Sequence, residues 1–227
     1  MTVLHLADEG EAADLAAFLS RLLHYDRGAA VRLQAAGTAL AVFGRPPSFE
    51  VLAIRAARLA KPYENGLDVT LDVTVSAGEL LESLDESAAT AVVPAPVTGP
   101  PWAGVLPPRG GWRPEPGLPA SDELRAMVGA AVAEFRSRTQ ELAPEGRTRA
   151  ELDRIGREIW SRPVGDTRLP VRVVHAAQSL GFLRPAGAPG EEALRLVSSG
   201  AWLRLRTPYG SIAVRRAGLG ALDVSVR

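Results

Sequence analysis

Residues 30–43 read AVRLQAAGTALAVF, and residues 193–206 repeat this pattern as ALRLVSSGAWLRLR. At a spacing of 163 residues the two stretches share an arginine–leucine pair, a glycine and a leucine at corresponding positions. Each stretch has two runs of alternating apolar residues with a glycine between them. Alternation with a period of two indicates β-strands, and the glycine indicates a tight turn. The sequence therefore predicts the same pair of strands near both ends of the chain.

Further matches extend each pair of strands into a longer unit. At spacings of 160 and 155 residues they are Ala53, Arg55, Ala57 and Leu59 with Ala213, Arg215, Ala217 and Leu219, and LDVT at 67–70 with LDVS at 222–225. Both changes of spacing fall where turns are expected, since loops tolerate deletions. We predict an α+β fold of two α-β-β-β units, each with a three-stranded antiparallel meander, related by internal duplication and separated by a central helical segment. Chance similarity in a chain rich in Ala, Leu and Arg is the alternative.

The duplication also predicts which strand residues face the core. Those expected to point inward are Leu40, Val42, Leu52 and Ile54 in the first copy, and Leu203, Leu205, Ile212 and Val214 in the second. A strand is expected at 67–75, where apolar and polar residues alternate strictly. Arg55 with Asp68, and Arg215 with Asp223, are then expected on the opposite, exposed face as cross-strand ion pairs.

Helix starts are marked by capping boxes, in which a short polar residue precedes a glutamate by three positions. Such boxes stand at Asp8–Glu11, Ser76–Glu79 and Thr148–Glu151. A further helix is expected to begin at Ser121, and another to have Pro170 in its first turn and Gly181 at its end.

A segment rich in proline and glycine divides the chain. Residues 93–120 hold nine of the eighteen prolines, so this segment cannot form a regular helix or a central strand. It also contains Trp102 and Trp112, which a solvated linker would not need. We predict an N-terminal half (1–92), an ordered strap lying on the protein (93–120), and a C-terminal part of three helices followed by the second meander (121–227).

Composition limits the classes of function. Lys plus Arg and Asp plus Glu both number 26, so the net charge is zero, but residues 1–100 carry about −6 and residues 101–227 about +6. Basic and acidic regions can attract each other or a charged partner. The absence of cysteine excludes disulfides and cysteine nucleophiles. We expect no membrane segment, because no run of about 20 apolar residues occurs, and the cytoplasm is the default compartment.

No catalytic, metal or cofactor motif stands out, so we predict no catalytic residues, no metal site and no cofactor. His5, His24 and His175 are the only histidines, and none has a partner at metal-ligand spacing. His24 is expected at a helix end. His175 is expected on a polar, solvated helix face with Arg172. As a minor alternative, an enzyme could bind an anionic small molecule through Arg109 or Arg172, with a carboxylate or His175 as the base.

Arginines and tryptophans cluster in two places that could bind a partner. The stretch PPRGGWR at 107–113 has glycine amides flanked by Arg109 and Arg113, with Trp112 between them, which could form an anion-binding nest. In the second meander, one sheet face is expected to combine basic and aromatic side chains. Its members are Trp202, Arg204 and Arg206, together with Arg195 and Arg215. The first meander has Ala39, Ala41 and Phe43 where the second has Trp202, Arg204 and Arg206. Because the two copies differ at these positions, we place the binding surface on the second meander.

Two resemblances bear on the class of protein. Pro101–Trp112 resembles a stretch in uncharacterised proteins of high-GC actinobacteria, which implies no activity. The tandem β-α-β-β-β order is similar to that of sliding DNA clamps.

We predict a non-enzymatic interaction or scaffold protein that associates with itself as a homodimer or binds another protein. Exposed strand edges and the tryptophan-rich strap favour this interpretation. Nucleic-acid binding through the basic and aromatic face of the C-terminal sheet is the alternative.

Overall fold

The structure is a computed structural model that describes residues 2–60, 71–184 and 194–216. The α+β fold is confirmed. The strands are β1 (Val3–His5), β2 (Ala30–Ala36), β3 (Ala39–Gly44), β4 (Leu52–Arg58), β5 (Leu71–Ser76), β6 (Leu84–Asp85), β7 (Thr90–Val92), β8 (Arg113–Glu115), β9 (Arg195–Ser199), β10 (Trp202–Thr207) and β11 (Gly210–Arg215). The helices are α1 (Glu9–Tyr25), α2 (Ala77–Glu82), α3 (Ser121–Glu141), α4 (Arg149–Trp160) and α5 (Val171–Ser179).

One antiparallel sheet of eight strands runs through both halves of the chain, in the order β5-β2-β3-β4-β11-β10-β9-β8. The halves are joined where β4 pairs with β11, through Leu52 with Ala213, Ala53 with Ile212, and Ile54 with Ser211. A small sheet of order β1-β7-β6 lies beside it. The two meanders therefore belong to one sheet and do not form separate lobes.

Both predicted hairpins are present, each with a glycine at the first turn position. Gly37 has φ 57° and Gly200 has φ 53°. The strand pairs close at Ala36 with Ala39 and at Ser199 with Trp202, so each loop has two residues. Two-residue loops commonly require glycine because the backbone must adopt positive φ there. The internal duplication itself stays a prediction, and the segment 222–225 lies outside the described residues.

The predicted faces are right for the second meander and wrong for β4. Directly paired residues of antiparallel strands share a face. Ile54 pairs with Phe43, on the side away from Val42, whereas Arg55 pairs with Val42. The helices cover one side of the sheet, which we call the inner side. Arg55 points towards the inner side, and Leu52 and Ile54 point to the outer side.

The error comes from the register of one hairpin. Leu40 lies opposite Ala57, but its counterpart Leu203 lies opposite Val214, three residues before the Ala217 that the alignment matches to Ala57. A shift by an odd number of residues reverses the two faces. Asp68 and Asp223, the predicted ion-pair partners, lie outside the described residues.

The helices form the core with the inner side of the sheet. Helix α1 packs on β4 and α5 packs on β11, while α3 lies against α4 and α5. The three capping boxes are confirmed, because the side chains of Asp8, Ser76 and Thr148 each accept a hydrogen bond from the backbone N–H three residues later. In the described ranges, no helix is both long enough and apolar enough to cross a membrane.

The strap lies across the outer side of the sheet. The backbone N–H of Val97 donates to Thr74 O (2.9 Å), and Arg32 Nη1 donates to Ala103 O (2.6 Å). Trp102 and Leu106 pack on a second apolar cluster formed by Phe43, Leu52, Ile54 and Ala213. The strap therefore covers the apolar part of the outer side. The proposed limits of the three parts of the chain stay a prediction.

Candidate functional site

The outer side of the C-terminal half-sheet carries the predicted basic and aromatic residues. Alternation along β10 sends Trp202, Arg204 and Arg206 to one side. The register adds Arg215, which pairs with Trp202, and Arg195, which pairs with Arg206. We call the surface formed by Trp202, Arg204, Arg206, Arg195 and Arg215 the basic face.

Arg204 is the most buried cation of the basic face. Its Nε donates to Ser211 Oγ (2.8 Å), and its Cζ lies 5.6 Å from the ring centroid of Trp112. Burial, with a further contribution from the charge of Arg206, lowers the pKa of Arg204 to about 10. Arg204 therefore remains charged at neutral pH although part of its hydration is lost.

The other arginines of the basic face also lack acidic partners. Arg215 Cζ lies 5.9 Å from the ring centroid of Trp202, and Arg195 and Arg206 are exposed. Among the residues that the structure describes, none of the four arginines forms a salt bridge. Four neighbouring arginines that form no salt bridge with the described residues produce a field that attracts anions.

The remaining predicted site residues, on the strap, do not lie together. Trp112 joins the basic face through Arg204, and its Nε1 donates to Pro108 O (3.0 Å). Arg113 pairs with Ser198, so it points to the opposite side of the sheet. Arg109 lies close enough to Asp72 for its charge to help Arg32 lower the pKa of that carboxyl group. Arg109 is therefore directed towards the N-terminal half, and no common nest forms from the three.

His175 is not on a solvated face, contrary to the prediction. Its ring stacks on Trp160, with 4.6 Å between centroids, and meets the edge of Phe49 at 5.1 Å. Burial lowers the pKa of His175 below its ordinary value. Arg172, one helical turn before it, lines a cavity to which His175 does not contribute. The two side chains therefore do not converge on the single site that the enzymatic interpretation requires.

An acidic surface, which the residue patterns did not single out, lies on α2 and the segment that follows it. Its exposed members are Glu79, Glu82, Asp85 and Glu86. Within 2–60, 71–184 and 194–216, none of the four is in a salt bridge. The sequence contains an indication of this surface, because no lysine or arginine that could neutralise it occurs from residue 62 to residue 108. We call these four residues the acidic surface.

Two family models match the chain, and both describe domains of unknown function. A domain of unknown function (DUF8010) matches residues 1–104, and a domain of unknown function (DUF8185) matches residues 107–219. The two matches meet within the strap. No curated protein matches the chain.

The solved structures that are similar to the chain include a DNA polymerase sliding clamp from Pseudomonas aeruginosa. The identity is 12%, the match covers 98% of this chain and 66% of the clamp chain, and the TM-score is 0.46. A second structure of the clamp from this organism, with ligand, matches at 13% identity over 93% of this chain and 64% of that chain, with a TM-score of 0.45. The chain thus spans just under two thirds of the length of these clamp chains.

Proposed function

We propose that the protein is a non-enzymatic interaction protein whose basic face binds an acidic protein surface. The observation that carries this proposal is the group of four arginines that share one sheet face and have no acidic partner in the described part of the chain. A partly buried arginine such as Arg204 gains most from an anion, because desolvation strengthens the pairing of charges.

A protein partner is favoured over a nucleic acid by the state of the aromatic rings. Single-stranded nucleic acids bind such sheets by stacking bases on open aromatic faces. Here Trp112 and Trp202 each have a guanidinium over the ring. The N-terminal half is also acidic overall, so a long polyanion would be repelled from much of the molecule.

The partner that we propose first is a second copy of the chain. The acidic surface has four exposed carboxylates without cationic partners among the described residues, which complements the basic face in sign and number. In a symmetric homodimer each basic face would contact the acidic surface of the other copy, so that both interfaces are equivalent.

Sedimentation equilibrium at micromolar concentration and low salt tests this proposal. The double variant Arg204→Glu and Arg206→Glu should raise the dimer dissociation constant by at least about tenfold, because two attractive contacts become repulsive. The matched control, Arg157→Glu with Arg168→Glu, makes the same change of charge at exposed positions elsewhere and should leave association unchanged. A monomeric parent, or equal loss in both double variants, would contradict self-association through the basic face.

Nucleic-acid binding is the second candidate, and the observation that favours it is the partial exposure of Trp112 and Trp202 beside arginines. The fluorescence anisotropy of a labelled oligothymidylate distinguishes the two functions. The first function predicts no saturable binding at low salt. Saturable binding that the Arg204→Glu and Arg206→Glu variant abolishes would favour the second function.

A further inference from the structure

A cavity of about 420 Å³ lies where the strap, the start of β4, the end of β11 and the first turn of α5 meet. The strap forms one wall through Trp102 and Val105, the sheet forms another through Leu52 and Ala213, and α5 contributes Arg172. The other lining residues are Arg45, Glu50, Val51, Pro101, Trp202, Val214 and Arg215. A cavity of this volume can hold a small organic molecule.

Three arginines reach this cavity, from separate parts of the chain. Arg45 comes from the β3–β4 loop, Arg172 from α5 and Arg215 from β11. In the described residues none of the three is in a salt bridge. The Nε of Arg172 is buried and has no hydrogen-bond partner there. Because this Nε is closed to solvent, an anion in the cavity would bind the terminal nitrogens of Arg172.

Apart from Glu50, the rest of the lining is apolar and includes two aromatic side chains. Trp102 and Trp202 both pack on the apolar cluster of Leu52, Ile54 and Ala213, and both line the cavity. Flat apolar surfaces of this kind bind aromatic rings well. The lining thus combines a place for a ring with a place for an anion.

Glu50 is the single carboxylate among the described lining residues and has a strained backbone. Its φ is 52°, a left-handed conformation that is uncommon for a residue with a side chain. Its neighbours Phe49 and Val51 are buried, which holds Glu50 at the cavity. Such strain occurs preferentially at functional sites. With one carboxylate and three arginines, the described lining keeps an excess of positive charge, which favours an anion with a single negative charge.

We propose that this cavity binds a small aromatic carboxylate. The carboxylate group would accept hydrogen bonds from Arg172 and Arg45, because the planar guanidinium matches two carboxylate oxygens. The aromatic ring would lie against Trp102, and Trp202 would line the site without stacking on the ligand, because Arg215 lies near its ring. The cavity shares Trp202 and Arg215 with the basic face, whereas Trp102, Arg45 and Arg172 belong to the cavity alone.

Titration of the ¹⁵N-labelled full chain with 2-naphthoate tests the proposal by NMR. The chain has four tryptophans, whose indole N–H signals can be assigned with single Trp→Phe variants. The signals of Trp102 and Trp202 should shift in a saturable way, with a dissociation constant on the order of 1 mM or tighter. The signals of Trp112 and Trp160, which do not line the cavity, should not. The neutral 2-naphthamide should bind at least about tenfold more weakly, because it lacks the charge.

Two variants connect the binding to the arginines. Arg172→Met should weaken 2-naphthoate binding by at least about tenfold, since a charged hydrogen bond is lost from a buried site. Arg157→Met, the matched control on α4, should not change it. Equal binding of acid and amide, shifts of all four indole signals, or an unchanged affinity of Arg172→Met would overturn the proposal.

The test of the cavity can fail or succeed independently of the test of self-association through the basic face. Arg206 does not line the cavity, so Arg206→Glu should weaken association and leave 2-naphthoate binding unchanged. Arg172→Met should do the reverse. If self-association fails but 2-naphthoate binds, the proposed function is wrong and the cavity proposal stands.

Discussion

Arg55 connects three elements that are far apart in sequence. From β4, its Nη2 donates to Glu11 Oε2 (3.0 Å) and Asp14 Oδ2 (3.3 Å) on α1. Its Nη1 donates to the carbonyl oxygen of Tyr209 in the β10–β11 turn (2.9 Å). Arg184, after α5, also contacts Asp14 (3.0 Å). A buried ionic network therefore joins the N-terminal and C-terminal halves on the inner side of the sheet.

Replacing Arg55 should be strongly destabilising. Arg55→Met removes this cation, whereas Glu11 keeps Arg58 and Asp14 keeps Arg184. Removing one member of a fully buried ion pair costs about 3–5 kcal/mol, so we expect a loss of about 2–3 kcal/mol here. Urea denaturation measures the loss. Arg58→Met is the control, since the Arg58 side chain is 71% exposed while that of Arg55 is 8% exposed. Arg58 also binds Glu11 (2.9 Å), so equal effects of the two substitutions would contradict the larger contribution that we assign to the buried Arg55.

His175 should make the stability depend on pH. Because burial lowers its pKa in the folded state, the unfolded chain binds a proton more readily below the ordinary value of 6.5. The contribution of His175 to the free energy of unfolding is therefore present above pH 6.5 and is lost as pH falls towards the folded-state pKa.

The variant His175→Phe keeps a ring against Trp160 and removes the charge. The difference in unfolding free energy between pH 7.5 and pH 5.5 should be smaller in this variant than in the parent. Urea titrations at both pH values give this difference. An unchanged difference would mean that His175 does not control the pH dependence.

At the scale of elements, the strap stabilises the outer side of the sheet by covering its apolar cluster. Trp102 covers Phe43, Leu52 and Ile54, which would otherwise expose apolar surface. Trp102→Ala should lower stability by about 3 kcal/mol, as expected when a large aromatic side chain is removed from an apolar cluster. Trp112→Ala, which removes a ring lying by the charged Arg204, should cost clearly less. Thermal or urea unfolding of both variants checks this order, and the reverse order would contradict the assigned role of Trp102.

Short sequence motifs predicted the helix starts correctly. Features that depend on contacts between distant residues, such as the register of β4, could not be predicted in the same way. The capping boxes at Asp8, Ser76 and Thr148 depend only on four neighbouring residues, so the sequence was sufficient. The faces of β4 depend on the loop of residues 45–51, whose path sets the register with β3. Alternation within β4 could not reveal that register, and Arg55 was therefore placed on the wrong side.

The same distinction explains the candidate site. Trp202, Arg204 and Arg206 lie on one strand, so their alternation alone predicts that they share a face. Arg109 and Arg113 lie on the strap, whose path is set by distant contacts with β2, β5 and β9. The cavity could not be predicted either, because Arg45, Arg172 and Arg215 meet only in three dimensions.

At the scale of the whole molecule, one continuous sheet has two different outer surfaces. In the first meander the outer side combines an apolar cluster with the ion pair of Arg32 and Asp72, and the strap lies on it. In the second it is the basic face, without acidic partners in the described part of the chain. The helices cover the inner side of both. This asymmetry between the meanders is what our account of function depends on.

The most direct test of that account mixes two charge-reversed variants in sedimentation equilibrium. Arg195→Glu, Arg204→Glu and Arg206→Glu together change the charge of the basic face from +4 to −2, and Glu82→Arg, Asp85→Arg and Glu86→Arg together change that of the acidic surface from −4 to +2. In a mixed dimer, one interface keeps its original charges and the other has them exchanged, so both are complementary. We predict that each variant alone is monomeric and that the equimolar mixture forms a dimer. A mixture that stays monomeric while the parent dimerises would contradict the pairing of the basic face with the acidic surface.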